Sequence, residues 1–260
     1  MRKTNNLLKQ ERCGEVSYTK YGTKAIIVEY KNNKEVLVEF QDEYKYKYYA
    51  SYSNFRDGKL TNPYDKRYCG VGYIGVGRYN MSNCRTALKK WCGILQRVTL
   101  DNSDDLSTSV TSYVNCEISD EWLNFQNFAE WYENNKYELN NGERLAIDKD
   151  ILWHNNKIYC KERCLLVPEK INSLFIKEKS RRGELPIGVK QPKDKSYYIA
   201  GISKYGKNVR IGSYPTKEDA FYAYKKEKEK HIKEVANNYK DIIPKKVYNA
   251  LMDYKVEITD

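Results

Sequence analysis

Twenty-eight residues gather carboxylates, amides, thiols and an imidazole at close spacing: LAIDKDILWHNNKIYCKERCLLVPEKIN, from Leu145 to Asn172. They include the carboxylates of Asp148 and Asp150, the imidazole of His154, the amides of Asn155, Asn156 and Asn172, the ammonium of Lys149 and the thiols of Cys160 and Cys164. Oxygen ligands of this kind suit a hard divalent ion, Mg²⁺ or Mn²⁺, better than zinc. A carboxylate, an Asn-rich hairpin and a later Asn is also the order in which a one-metal ββα finger would hold an ion against a phosphodiester and activate water. Asp148 and Asp150 are two apart, so on a strand they share a face; the other reading of Asp150 is a plain surface charge. Cys160 and Cys164 are spaced C-x3-C, but Cys84, Cys92 and Cys116 form no second close pair, so buried thiols are expected rather than a structural zinc.

Elements on either side must position these groups. AIIVEY (Ala25–Tyr30) and EVLVEF (Glu35–Phe40) read as β-branched strands around a KNNK turn. With the Tyr/Lys alternation of Tyr44–Tyr52 they suggest a small antiparallel barrel over residues 1–65. GVGYIG (Gly70–Gly75) matches a dinucleotide fingerprint only literally, because no strand–turn–helix unit surrounds it; a turn of close backbone approach is the better account. Ala87, Leu88, Trp91, Ile94 and Leu95 fall on one helical stripe. Thr99–Ser112 is polar and loop-like, and Ser119–Asn135 reads as one amphipathic helix capped by Ser119. A charged hinge, Lys177–Pro186, separates residues 66–183 from 184–260. Beyond it come three strands with turns at KDK and KYGK, a long helix capped by Thr216, and a short closing segment. The expected class is therefore α+β and multi-domain: a barrel, a central ββα unit with helices, and a three-stranded antiparallel sheet packed on one helix.

Composition narrows the partner. The chain has 260 residues, 46 Lys+Arg against 35 Asp+Glu, and a formal charge of +11. Residues 184–260 are the most basic part, with 16 basic and 11 acidic side chains. A polyanion is the partner such an excess favours, nucleic acid before a membrane surface. No apolar run approaches the roughly 20 residues that span a bilayer, and no export signal is evident, so a cytoplasmic protein with reduced thiols is expected.

Residues 66–180 resemble the phage-type HNH homing endonucleases, through GVGYIG, the helix of Trp91, EWLNFQNFAEW, IDKDILWHNNKIY and the run from Cys164 to Asn172. Residues 184–260 resemble the DNA-binding domain of plant ethylene-response factors, through IGVKQ, YYIAGI, VRIGSY and TKEDAFYAY in order. The first resemblance implies a DNA endonuclease with one Mg²⁺ or Mn²⁺ ion, ligated by Asp148 and closed by Asn172, in the cytoplasm of a phage-infected bacterial host. Lys149 then stands where the family has its general-base histidine, which leaves His154 of the hairpin as the substitute. The second resemblance implies a sheet in the major groove of double-stranded DNA. Lys190, Ser203, Asn208 and Arg210 sit at its DNA-facing positions, with Lys193, Lys195, Lys204 and Lys207 on phosphates. Gly201 replaces an acidic contact, and Ala200, Ile202 and Ile211 are expected against the helix. Two functions follow: metal-dependent nicking or cleavage of DNA, or DNA binding by a regulator or interference protein on a degenerate HNH scaffold.

Overall fold

The computed structural model of the protein describes residues 5–99, 115–139, 142–176 and 183–260. The expected loop at 99–112, after Thr99, and the hinge residues 177–182 lie outside this set. Contacts divide the chain into two compact units, Met1–Leu95 with Asp120–Ala129, and Gln96–Ser119 with Glu130–Asp260.

The first unit opens with helix α1 (Asn5–Arg12) and a meander of β1 (Val16–Tyr18), β2 (Lys24–Asn32), β3 (Glu35–Phe40) and β4 (Lys47–Ala50). The strands pair antiparallel in the order β1-β2-β3-β4. Strand alternation sends Ala25, Ile27, Val36, Val38 and Phe40 to one buried face. The expected barrel does not form: β1 and β4 are the two edges of an open sheet. The chain leaves β4 directly into helix α2 (Tyr52–Arg56), whose Asn54 N–H is capped by Ser51 Oγ at 3.2 Å. Phe55 of that helix joins the same buried cluster, so a helix covers the apolar face that a barrel would have closed on itself.

The predicted Trp91 stripe is realised in α3 (Arg85–Thr99), where Ala87, Leu88, Trp91, Ile94 and Leu95 are all buried. Trp91 Nε1 donates to the Trp122 carbonyl at 2.6 Å. Gly72 lies so close that a Cβ there would stand 2.4 Å from Leu95 and 2.8 Å from Trp91, which accounts for that glycine by packing. The expected helix over 119–135 is instead two, α4 (Asp120–Leu123) and α5 (Phe125–Asn135). At the break Tyr73 bonds both sides of Asn124: its N–H reaches Leu123 O at 3.0 Å, and its carbonyl takes Phe125 N–H at 2.9 Å. Asn124 Oδ1 then accepts from Gln126 N–H, supplying the cap of α5, while Ser119 Oγ is buried without a hydrogen-bond partner among the described residues.

In the second unit β5 (Glu117–Ile118) runs parallel to β7 (Ile158–Tyr159), and β6 (Leu145–Asp148) pairs antiparallel with β8 (Leu165–Pro168). Helix α6 (Glu169–Asn172) follows β8 directly. Strands β9 (Val189–Lys190), β10 (Tyr198–Lys204) and β11 (Lys207–Tyr214) form a sheet in the order β11-β10-β9. Tyr205 and Gly206, both at positive φ, make the two-residue turn between β10 and β11. Helix α7 (Lys217–Asn238) starts at Thr216, whose Oγ1 takes Asp219 N–H at 3.1 Å, as predicted, and α8 (Lys245–Asp253) packs on it. One core runs through the unit: Ile151, Leu165, Val167 and Ile171 share it with Val189, Ala200, Ile202, Phe221, Ile232 and Leu251. No described helix is long and apolar enough to cross a membrane.

Candidate nucleic-acid interface

The register of the β9–β11 sheet decides which side chains share a face. Directly paired residues lie on the same side, and Ile199 pairs with Lys190 and Ser213, Gly201 with Arg210, and Ser203 with Asn208. These positions form the outer face. The opposite parity carries Val189, Ala200 and Ile202, which pack in the core against α7. A bulge at Ile211 interrupts the alternation, since Ala200 pairs with Gly212 while Gly201 pairs with Arg210. Ile211 packs against the core, as expected, and the extra residue returns both Arg210 and Ser213 to the outer face. Their contact follows: Arg210 Nη2 donates to Ser213 Oγ at 2.5 Å, aiming the guanidinium across the sheet.

Lys190, Ser203, Asn208 and Arg210 are therefore brought together on one exposed surface. No carboxylate among the described residues forms an ion pair with Lys190 or Arg210. Lys193 and Lys195 are exposed in the β9–β10 loop at the margin of that face. Lys204 departs from the expected surface. It has the parity of Ala200 and Ile202, and its ammonium is bonded to Glu227 of α7, with Glu234 at 4.0 Å. This contact holds the Glu227 carboxyl below the usual carboxylate range. Lys207 pairs with Lys204 in register but is exposed at the hairpin tip.

The 145–172 stretch has the order strand, long loop, antiparallel strand, short helix. Asp148 ends β6 opposite Leu165 and is only 7% exposed. Its Oδ1 accepts from Asp150 N–H at 2.8 Å and Ile151 N–H at 2.7 Å, closing a turn. Burial pushes its carboxyl up to about 6, with the Asp150 charge adding and the two N–H donors opposing. Lys149, also 7% exposed, donates to both Asp150 oxygens at 2.9 Å and to Asn156 O at 2.7 Å. All three of its N–H donors are thus engaged. Asn156, which the sequence reading left without a particular role, ties the loop together: Nδ2 donates to Lys149 O and Ile158 O, and Oδ1 accepts from Arg163.

His154 stacks on Tyr254, with centroids 4.6 Å apart, and its Nδ1 lies 3.6 Å from Asp260, beyond hydrogen-bond reach. Burial raises the Tyr254 phenol, and the carboxylates of Asp260, Asp148 and Asp150 add to the rise. Asn172 is the last residue of α6, half-buried, and none of the hydrogen bonds of Asp148 reaches it. Among the described residues no three His, Cys, Asp or Glu side chains form a group able to hold a metal. A divalent ion would need the Asp148 carboxylate, which is buried and already spends one oxygen on the backbone. The donor set around it fits the ion poorly. Cys160 and Cys164 are buried free thiols. No protein family, no curated protein and no solved structure matches the chain.

Proposed function

We propose that this chain is a duplex-DNA-binding protein that lays the outer face of the β9–β11 sheet in the major groove. The supporting observation is the register: it gathers Lys190, Arg210, Ser203 and Asn208 on an exposed face, while α7 covers the other. In this reading Arg210, aimed by Ser213, presents its fork to the O6 and N7 of a guanine. Ser203 and Asn208 meet neighbouring base edges or phosphates. Lys190, Lys193 and Lys195 neutralise phosphates and supply the salt-sensitive part of the affinity. Of the two functions the sequence suggests, the closed hydrogen bonding of Asp148 and Lys149 favours the binding protein over the hydrolase. The 145–172 unit then serves as a folded support of nuclease-like order. Electrophoretic shift of a duplex library tests the proposal. Arg210→Ala should lose about 1–3 kcal/mol of affinity and relax base preference at one position. Equal binding by wild type and variant sinks it.

The second reading, metal-dependent hydrolysis of DNA phosphodiesters, keeps one observation in its favour: Asp148 ends a strand whose antiparallel partner leads straight into the helix of Asn172. Nicking of supercoiled plasmid with Mg²⁺ or Mn²⁺ that disappears in Asp148→Ala would establish it. Binding without nicking in either metal supports the binding protein.

A further inference from the structure

Strand β9 pairs with Ile199 and Ala200 of β10, and among the described residues no strand neighbours the edge of β10 beyond Gly201 on that side. A cavity of about 1570 Å³ lies along this edge, and its walls come from both faces of the sheet. That is more room than the roughly 300–1,000 Å³ of a usual small-molecule site. One wall is apolar: Leu174, Ile176, Leu185 and Ile187, with Val235 of α7 opposite. The same helix turns two polar groups to the cavity, Lys228 and His231.

Neither group is satisfied by the protein. Lys228 is half-buried, and no carboxylate among the described residues forms an ion pair with it. Its ammonium is pushed down to about 8 by loss of water alone, with no opposing charge to restore it. The His231 residue is 1% exposed, and its Nδ1 has no hydrogen-bond partner, since the Glu234 carboxylate is 3.7 Å away. Burial first, then the charges of Lys204 and Lys228, lower the imidazole, against the Glu234 carboxylate, which raises it. A cation stripped of water and left without a counter-ion is costly unless something else supplies the charge. A roomy cavity with a greasy wall is where that something would sit.

We infer that this cavity is a binding site for a small amphipathic monoanion of the carboxylate class, with its head group on Lys228 and its apolar body against Leu174, Ile176, Leu185 and Ile187. His231 lies one helical turn from Lys228 in the same lining, with the Tyr205 ring edge-on to it. The cavity lining also includes Lys190, Ser203, Asn208 and Arg210 of the outer face, whereas Lys228 and His231 belong to α7. Lys228→Met changes α7 alone, so its effect on this site is read apart from the outer-face substitutions that test the DNA reading.

Calorimetric titration of the full chain with octanoate at pH 7 tests the assignment. The expected result is saturable one-to-one binding with a dissociation constant below about 1 mM. Octanol, which lacks the charge, and inorganic phosphate, which lacks the apolar body, should each bind at least tenfold more weakly. Lys228→Met keeps the stem of the side chain and should weaken octanoate at least tenfold. Leu185→Trp, which fills the cavity from its half-buried wall, should do the same by exclusion. Thermal melts of both variants confirm that they are folded. Octanoate affinity should also fall as pH rises through about 8, where Lys228 loses its proton. No octanoate binding by the wild type, equal binding by folded Lys228→Met, or phosphate binding as tightly as octanoate would each overturn the inference.

Discussion

Asp148→Asn separates a structural carboxylate from a catalytic one, because the amide keeps the shape and the Oδ1 acceptor while removing the charge. In the fold Oδ1 holds the N–H groups of Asp150 and Ile151 at 2.8 and 2.7 Å, and an Asn oxygen can do the same. Burial raises the carboxyl from its ordinary 3.8 to about 6. At about 1.4 kcal/mol per pH unit, that rise corresponds to about 3 kcal/mol held against the folded state once the group is ionised. The sign follows from proton counting. Below about pH 4 the carboxyl is protonated in the folded and largely in the unfolded chain, and the penalty is absent. Between about 4 and 6 the folded chain holds the proton that the unfolded chain has lost, so stability falls as pH rises, and above about 6 the penalty is complete. The new NH₂ group needs a partner in a buried place, which costs about 1–3 kcal/mol if none is found. Asp148→Asn should therefore stabilise by up to about 2 kcal/mol at pH 7.5, with the gain gone by pH 4. Asp148→Ala, which orphans two N–H groups, should destabilise by about 2 kcal/mol or more. Urea unfolding at both pH values reads the difference. A loss of stability in Asp148→Asn at pH 7.5, or a gain that does not change with pH, refutes the reasoning.

Three further outcomes follow from the same geometry. Lys204→Met breaks the pair with Glu227 yet should leave duplex affinity within about twofold, because that ammonium faces α7 and not the outer surface; gel shift beside Arg210→Ala measures the contrast. Gly188→Ala should destabilise by more than about 2 kcal/mol in chemical denaturation, since φ is +75° and the new methyl would stand 2.0 Å from the Tyr224 ring. Lys228→Met should raise the melting temperature at pH 7, and the gain should shrink toward pH 10.5, because the lysine's penalty is present below about pH 8 and vanishes once both states are neutral.

The β9–β11 sheet and α7 were legible because their signals are local: a Tyr-Gly turn, strict alternation, and a Thr216 cap with acidic residues in the first turn. The same alternation already placed Lys204 with Ala200 and Ile202, so its helix-side position was available from strand parity alone. The bulge at Ile211 was not, since it is a register shift between Ala200–Gly212 and Gly201–Arg210 that no local pattern specifies. Closure of the N-terminal sheet was misread because a barrel requires pairing between β1 and β4, which no local pattern specifies. The break at Asn124 arises from Tyr73, some fifty residues earlier, competing for the helix backbone. Around Asp148 the sequence supplied the residues but not their environment. Tyr254, more than a hundred positions downstream, stacks on His154 of the loop that follows the turn. Lys228 and His231 were invisible as a pair, since only the open edge of β10 gives them a cavity to face.

The measurement that bears most directly on the DNA-binding account is duplex affinity as a function of salt, for the wild type and for a variant with Lys190, Lys193 and Lys195 all changed to Ala. Each phosphate contact contributes about 0.9 to the slope of log affinity against log salt, so the triple variant should lose about 2–3 from that slope. An affinity that ignores ionic strength, or an identical slope in the variant, would contradict the account.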